Sequence, residues 1–231
     1  MKHGKKYRAI AEKIDASKEY EVTEAIALLQ ETASANFDQA LEIHIKLNIE
    51  PKKNDQQVRA TVVLPHGTGR TKKVAVVTAD KAKEAEAKAA GATLVGGEEL
   101  IAEIKSGKIV PGSAFDILLA TPDMMPKLAS VAKILGPKGL MPSPKNETVT
   151  SKMEEAVSML AKGKKASFKN DDGGNVHQAV GKLSFETAAL IENAGVFLDR
   201  VAKSKPEGVK GKFIKSVVFS TTMGPGVHVK I

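Results

Sequence analysis

The 231-residue chain contains no cysteine and no tryptophan. Without a thiol it can form no disulfide, no thiolate metal site and no covalent thiol intermediate. Aromatic residues make up only 4% of the chain, with 2 tyrosines and 7 phenylalanines. Proteins that grip single-stranded nucleic acid stack bases on exposed rings. If RNA is the partner, recognition here has to rest on hydrogen bonds, phosphate contacts and shape. No apolar run reaches the ~18 residues that a spanning helix needs. The basic start Met1-Lys2-His3-Gly4-Lys5-Lys6 is followed by no hydrophobic segment. Neither a secretory signal nor a membrane partner is therefore expected, and the protein is expected in the cytoplasm.

Signatures of catalysis are also missing. The five histidines, His3, His44, His66, His177 and His228, stand in no metal-binding spacing, so no metal is expected. No GxSxG or SxxK nucleophile setting occurs. Gly67-Thr68-Gly69-Arg70-Thr71-Lys72-Lys73 is similar to a phosphate loop, but it misses the GxxxxGK[ST] pattern and precedes a strand instead of following one. A hinge at Gly67 and Gly69, with Gly163 at the return crossing, is the better reading. The alternative function, a nucleotide-binding α/β enzyme, needs a glycine-rich strand-to-helix turn. Val77-Thr78-Ala79-Asp80 is not one. No cofactor is expected.

What the chain does have is positive charge: 35 Lys+Arg against 27 Asp+Glu, a formal net charge of +8. Such a surface attracts polyanions. Residues 1–66 carry 10 basic and 10 acidic residues, 67–159 carry 13 and 11, and 160–231 carry 12 and 6. The excess lies in the last third, in Lys162-Gly163-Lys164-Lys165 and at Lys203, Lys205, Lys210, Lys212 and Lys215. These lysines fall on strands and loops. A membrane-surface protein would instead need a basic amphipathic helix with bulky apolar anchors.

Hydrophobic periodicity divides the chain into three. The first third reads helix, helix, strand, strand. Tyr7 to Ile14 is a short amphipathic stretch, and Thr23 is placed to cap a helix through Ile26, Leu28 and Leu29. Leu41, Ile43, Ile45, Leu47 and Ile49 alternate with Glu42, His44, Lys46 and Asn48, which predicts a half-buried strand with a polar outer face. The turn Pro51-Lys52-Lys53-Asn54-Asp55 and a strand over 58–64 predict a hairpin.

In the middle third, short continuously apolar strands at 74–77, 93–95 and 115–120 each precede a helix, over 80–90, 98–105 and 122–134. That pattern belongs to a parallel sheet covered on both faces. Leu135-Gly136-Pro137-Lys138-Gly139-Leu140-Met141-Pro142-Ser143-Pro144 cannot continue a helix and offers Lys138 and Lys145 as exposed cations. The last third goes back to hairpins and helices like those of the first. It holds a helix over 153–161, a hairpin around Asp171-Asp172-Gly173-Gly174, a long helix over 185–202, and a strand over 213–222 before Gly224-Pro225-Gly226.

The change of pattern near 66 and near 160 predicts an α+β domain built from 1–66 and 160–231, with an antiparallel sheet and helices. An α/β domain, 67–159, is inserted between its halves. Ser220-Thr221-Thr222-Met223-Gly224 puts three hydroxyls, a methionine and a glycine at a strand end, where hydroxyls and a closely approaching backbone can meet ribose and phosphate.

Leu64-Pro65-His66-Gly67-Thr68-Gly69, Ile134-Leu135-Gly136-Pro137-Lys138-Gly139-Leu140-Met141-Pro142 and Thr221-Thr222-Met223-Gly224-Pro225 resemble, in order, the bacterial-type "L-one" family of large-subunit ribosomal stalk proteins. The resemblance covers nearly the whole chain. It implies a split RNA-binding domain and a Rossmann-like insertion, with no catalytic centre. The implied partners are a folded segment of large-subunit ribosomal RNA, the leader of the protein's own messenger, whose binding represses translation, and the exit-site tRNA beside the mobile stalk. The protein would act as a monomer within the ribosome. Carried over by motif, the RNA surface comprises Phe37, Glu42, His44, Lys46, Lys169, Asn170, His177, Thr221, Thr222, Met223 and Gly224. Some relatives carry a basic residue just before Phe37, where this chain has Asn36.

Overall fold

The computed structural model describes residues 4–15 and 17–230, with the side chains of all of these except Asn54 and Lys145. His3 and the Lys145 cation lie outside the described residues. In chain order the elements are α1 (Lys5–Ala11), α2 (Val22–Glu31), β1 (Ala40–Leu47), β2 (Arg59–Val63), β3 (Val74–Val77), α3 (Lys81–Ala89), β4 (Leu94–Gly96), α4 (Glu98–Ser106), β5 (Ile117–Ala120), α5 (Met125–Leu128), α6 (Ala132–Leu135), α7 (Met153–Ala161), β6 (Lys165–Lys169), β7 (Asn175–Lys182), α8 (Thr187–Lys203), β8 (Ile214–Thr221) and β9 (Gly226–Val229). They form two compact units, Met1–Gly69 with Ala166–Ile231, and Arg70–Lys165. No helix among the described residues is long and apolar enough to cross a membrane.

In the first unit β1 is the central strand of a four-stranded sheet ordered β7-β1-β8-β9. All its neighbours are antiparallel. Strict alternation explains its place: Leu41, Ile43, Ile45 and Leu47 are buried while Glu42, His44 and Lys46 stay partly exposed. The buried set packs with Ile26 and Leu29 of α2 and with Leu190, Ala194, Phe197 and Val201 of α8. The helices cover one face of the sheet and leave the polar face to solvent.

The second unit holds a three-stranded parallel sheet ordered β4-β3-β5. Every residue of β3 is buried. Its side chains feed two cores in turn: Ala75 and Val77 join Leu100, Ile104, Phe115, Leu128 and Leu135, whereas Val74 and Val76 join Ala87, Met153, Val157 and Leu160. This is the doubly covered sheet that the continuously apolar strands predict. Asp80 caps α3 by accepting from the Ala82 N–H at 3.0 Å. At the end of α6, Gly139 takes a φ of 69°. The Leu140 N–H reaches the Leu135 carbonyl at 3.0 Å and the Gly139 N–H reaches that of Gly136 at 2.9 Å. This pair of bonds is a Schellman cap, which is why the glycine-rich segment stops the helix there.

Four expectations need correction. The strand at 59–63 does not form a hairpin with β1. It pairs with β6 in a separate two-stranded sheet, because both edges of β1 are taken by β7 and β8. β6 and β7 are not a hairpin ladder either, since β6 pairs with β2 and β7 with β1, although the turn between them keeps an Asp171 N–H to Asn175 carbonyl bond at 2.8 Å. The helix expected over 122–134 is broken into 3₁₀ turns at 122–124 and 129–131 with α5 and α6 between. Pro126 has no N–H to bond the Pro122 carbonyl, so the α-helical ladder cannot run through. Thr23 lies inside α2, whose N-cap is Glu21 without a side-chain bond. Lys138 is exposed as expected, and its ammonium donates to the Pro111 carbonyl at 2.7 Å.

Candidate nucleic-acid interface

The solvent-facing side of the four-stranded sheet gathers most of the residues singled out above. On β1, Glu42, His44 and Lys46 point outward. Register places His44 opposite His177 of β7 and Val218 of β8, and Glu42 opposite Ala179 and Ser220. The two imidazoles meet edge to face, with Nδ1 to Nδ1 at 2.8 Å. One of these nitrogens must be the donor and the other the acceptor, so this contact holds a single proton. His44 Nε2 lies 2.9 Å from Ser220 Oγ, and His177 Nε2 lies 3.4 Å from Asp171 Oδ2. A polar chain thus crosses three elements, from Asp171 through both histidines to Ser220.

Charges along this chain are held apart by specific bonds. The backbone N–H and the side-chain amide of Asn175 donate to the Asp171 carboxylate at 2.6 and 3.0 Å. They hold its pKa down at about 2. Burial lowers the pKa of His44, His177 lowers it further, and Glu42 opposes the shift. Lys46 Nζ donates to the Gly173 carbonyl at 2.6 Å, which fixes the cation over the turn.

The far end of the face is built where β8 runs out beside the start of β1. The Ala40 N–H donates to Thr222 Oγ1 at 3.0 Å and the Thr222 N–H to the Ala40 carbonyl at 3.2 Å. The Met223 N–H donates to Oε1 of Gln39 at 3.0 Å, and Gln39 is itself buried. With its backbone pinned, the Met223 side chain stands 64% exposed, and Phe37, two residues ahead of Gln39, is 54% exposed. Thr221 is buried. A side chain at Gly224 would run into the Thr221 hydroxyl, so only glycine lets the chain turn this closely.

Not every expected residue joins this surface. Lys169 is exposed on β6, in the two-stranded sheet. Asn170 is buried, and its amide is spent on the main chain: Oδ1 accepts from the Val58 N–H at 2.8 Å and Nδ2 donates to the Asp171 carbonyl at 3.0 Å. Gly67, Gly69 and Gly163 all adopt left-handed φ values, of 70°, 70° and 63°. The Gly67 carbonyl accepts from Nδ2 of buried Asn193 at 2.9 Å, and a side chain at Gly69 would meet Lys182 and Phe185. Two residues that the sequence reading did not assign to the site complete it, Gln39 and Asp171, and Ser220 of the hydroxyl run joins them through His44. Gln39 owes its place to Met223, far along the chain, which no local pattern marks, whereas Asp171 is held within its own turn by Asn175 and His177.

The model of the ribosomal protein L1p/L10e family matches residues 29–225. The chain belongs to the ribosomal protein L1p/L10e family. Members of known name agree over the full length. The large ribosomal subunit protein uL1 of Frankia casuarinae is 47% identical over 229 residues, 99% of this chain and 94% of that one. That of Mycoplasma capricolum is 46% identical, covering 99% of both, and that of Thermosipho africanus 47%, covering 99% and 96%. This L1-family chain is therefore a ribosomal protein of the large subunit and not an enzyme.

Proposed function

We propose that the outward face of the four-stranded sheet binds a folded segment of large-subunit ribosomal RNA and anchors the protein in the mobile stalk beside the tRNA exit site. One observation carries the reading. Cross-strand pairing brings Glu42, His44, Lys46 and His177 onto one solvent-facing surface of a domain whose other sheet face is buried. The strand ends pin Thr222 and Met223 at its edge. Hydrogen-bonding groups dominate this surface and flat aromatic platforms are few. That suits RNA already folded better than loose single strands, whose bases need rings to stack on. The same surface serves the leader of the protein's own messenger, giving translational repression, and the stalk assists release of deacylated tRNA. Both extensions rest on the family resemblance.

The test is footprinting on refolded large-subunit ribosomal RNA with the wild-type protein and Thr222→Ala. Wild type is expected to protect one folded segment. Thr222→Ala strips a hydroxyl that already organises the Ala40 N–H, and its affinity is expected to fall by about 1–3 kcal/mol. Protection at equal protein concentration for both proteins would remove the strand end from the site.

A further inference from the structure

The lysines at 203–215 have no role in the surface described above, yet the fold aims them at its other end. This segment carries five lysines and one acidic residue, Glu207. Val209 and Phe213 are buried in the core of the first unit, and the Asn48 N–H donates to the Phe213 carbonyl at 2.7 Å. Lys205 Nζ donates to the Gly211 carbonyl at 2.9 Å. The loop is thus nailed down at its apolar residues, and Lys210 and Lys212 between them are exposed.

Lys215 is presented by a different device. The pairing of β1 with β8 slips between Lys46 and Leu47: Lys46 opposes Ser216, whereas Leu47 opposes Ile214. Lys215 is the extra residue, and both it and Ser216 are exposed. A bulge breaks the alternation that would have pointed one of two neighbours inward. It adds Lys215 to the end of the sheet where Lys46 and Ser216 lie.

Among the described residues none gives Lys210, Lys212 or Lys215 a carboxylate partner. Of the acids around the track, Glu50 is engaged with Lys53 at 3.0 Å and Asp171, beside the turn under Lys46, with Asn175 and His177, while the Asp55 carboxylate lies against Gly208 of the loop. We propose that Lys210, Lys212 and Lys215, together with Lys46, form a phosphate track that continues the recognition face to the end opposite Thr222 and Met223. Ser216 and Thr222 are separated by roughly 20 Å of extended strand. The track therefore engages backbone phosphates remote from those read at the Met223 end of the same folded RNA. An anionic membrane is a poorer occupant, because the apolar residues of the loop are buried and offer no anchor. The proposal rests on the RNA reading above.

The experiment measures the dissociation constant for refolded large-subunit ribosomal RNA across a salt series. It uses full-length wild type, K210Q/K212Q/K215Q, and the control K81Q/K88Q/K105Q, which removes the same charge from exposed positions of the second unit. Thermal unfolding of each variant confirms that it is folded. The track predicts that the first triple lowers the slope of log affinity against log salt by about 2 while the control keeps the wild-type slope. Equal slopes for all three proteins, or the same loss in both triples, would overturn it. If wild type itself neither protects nor binds the RNA, the reading under Proposed function fails first, and the track fails with it. If Thr222→Ala binds like wild type while the lysine triple loses slope, the strand-end site is lost and the track stands.

Discussion

His44 shows how one side chain on this face is set by several elements at once. Glu42 and Lys46 flank it on β1, His177 faces it from β7, and Ser220 from β8. Burial and His177 lower its pKa below the ordinary value of 6.5, so the folded protein resists its protonation. The unfolded chain takes up that proton more readily. Stability is therefore unpenalised above about pH 6.5 and falls as the pH drops below it, until the folded-state pKa is passed. Denaturant midpoints measured from pH 8 to pH 5 are expected to fall in wild type and to fall less in His44→Gln, which cannot be protonated. Parallel profiles would assign the acid sensitivity to another group. The alternation of β1 made His44 and its outward neighbours legible in the sequence. The bond to His177 was not, because it depends on register between strands more than a hundred residues apart.

At the scale of elements, legibility followed periodicity. The α7 range was readable to the residue, since Met153, Val157 and Leu160 fall on one helical face. The strands of the parallel sheet were readable because burial on both sides demands unbroken apolar runs. Pairing was not readable: the turn at 51–55 looks like a hairpin turn, but β2 goes to β6. A local turn signal loses when a central strand such as β1 can bury more by pairing with two long strands. The core weight of β1 has its own consequence. Ile43 is fully buried between the sheet and its helices, and Ile43→Ala should destabilise the first unit by about 2–5 kcal/mol. Chemical denaturation checks this. A loss under about 1 kcal/mol would mean that the core closes around the gap.

The whole molecule is two units, one with an antiparallel sheet and one with a parallel sheet, and we propose that they divide the labour. A single polypeptide of residues 1–69 joined by a short linker to 166–231 retains β7-β1-β8-β9 and both packing helices. It is expected to fold and to bind refolded large-subunit ribosomal RNA with the wild-type footprint. Residues 70–165 alone are expected to fold and leave the RNA unprotected. Binding by the second piece and not the first would reverse the assignment. This division was visible in the sequence as a change of strand type. The charge excess of the last third was legible as well, although the sequence could not say that a bulge turns Lys215 outward.

The position of β1 also sets an order of events during synthesis. Its two neighbours, β7 and β8, begin at Asn175 and Ile214. The central strand therefore leaves the ribosome with both hydrogen-bonding edges open and waits for well over a hundred further residues. The inserted unit has all its strands by Ala120 and its last helix by Ala161, so it is able to close first. The four-stranded sheet completes only when β8 and β9 emerge, at the end of the chain. Premature release after Ala161 but before Asn175 yields a complete insert attached to an apolar strand that has neither of its partners. Such a product is exposed to aggregation and lacks the outward polar face of the finished sheet.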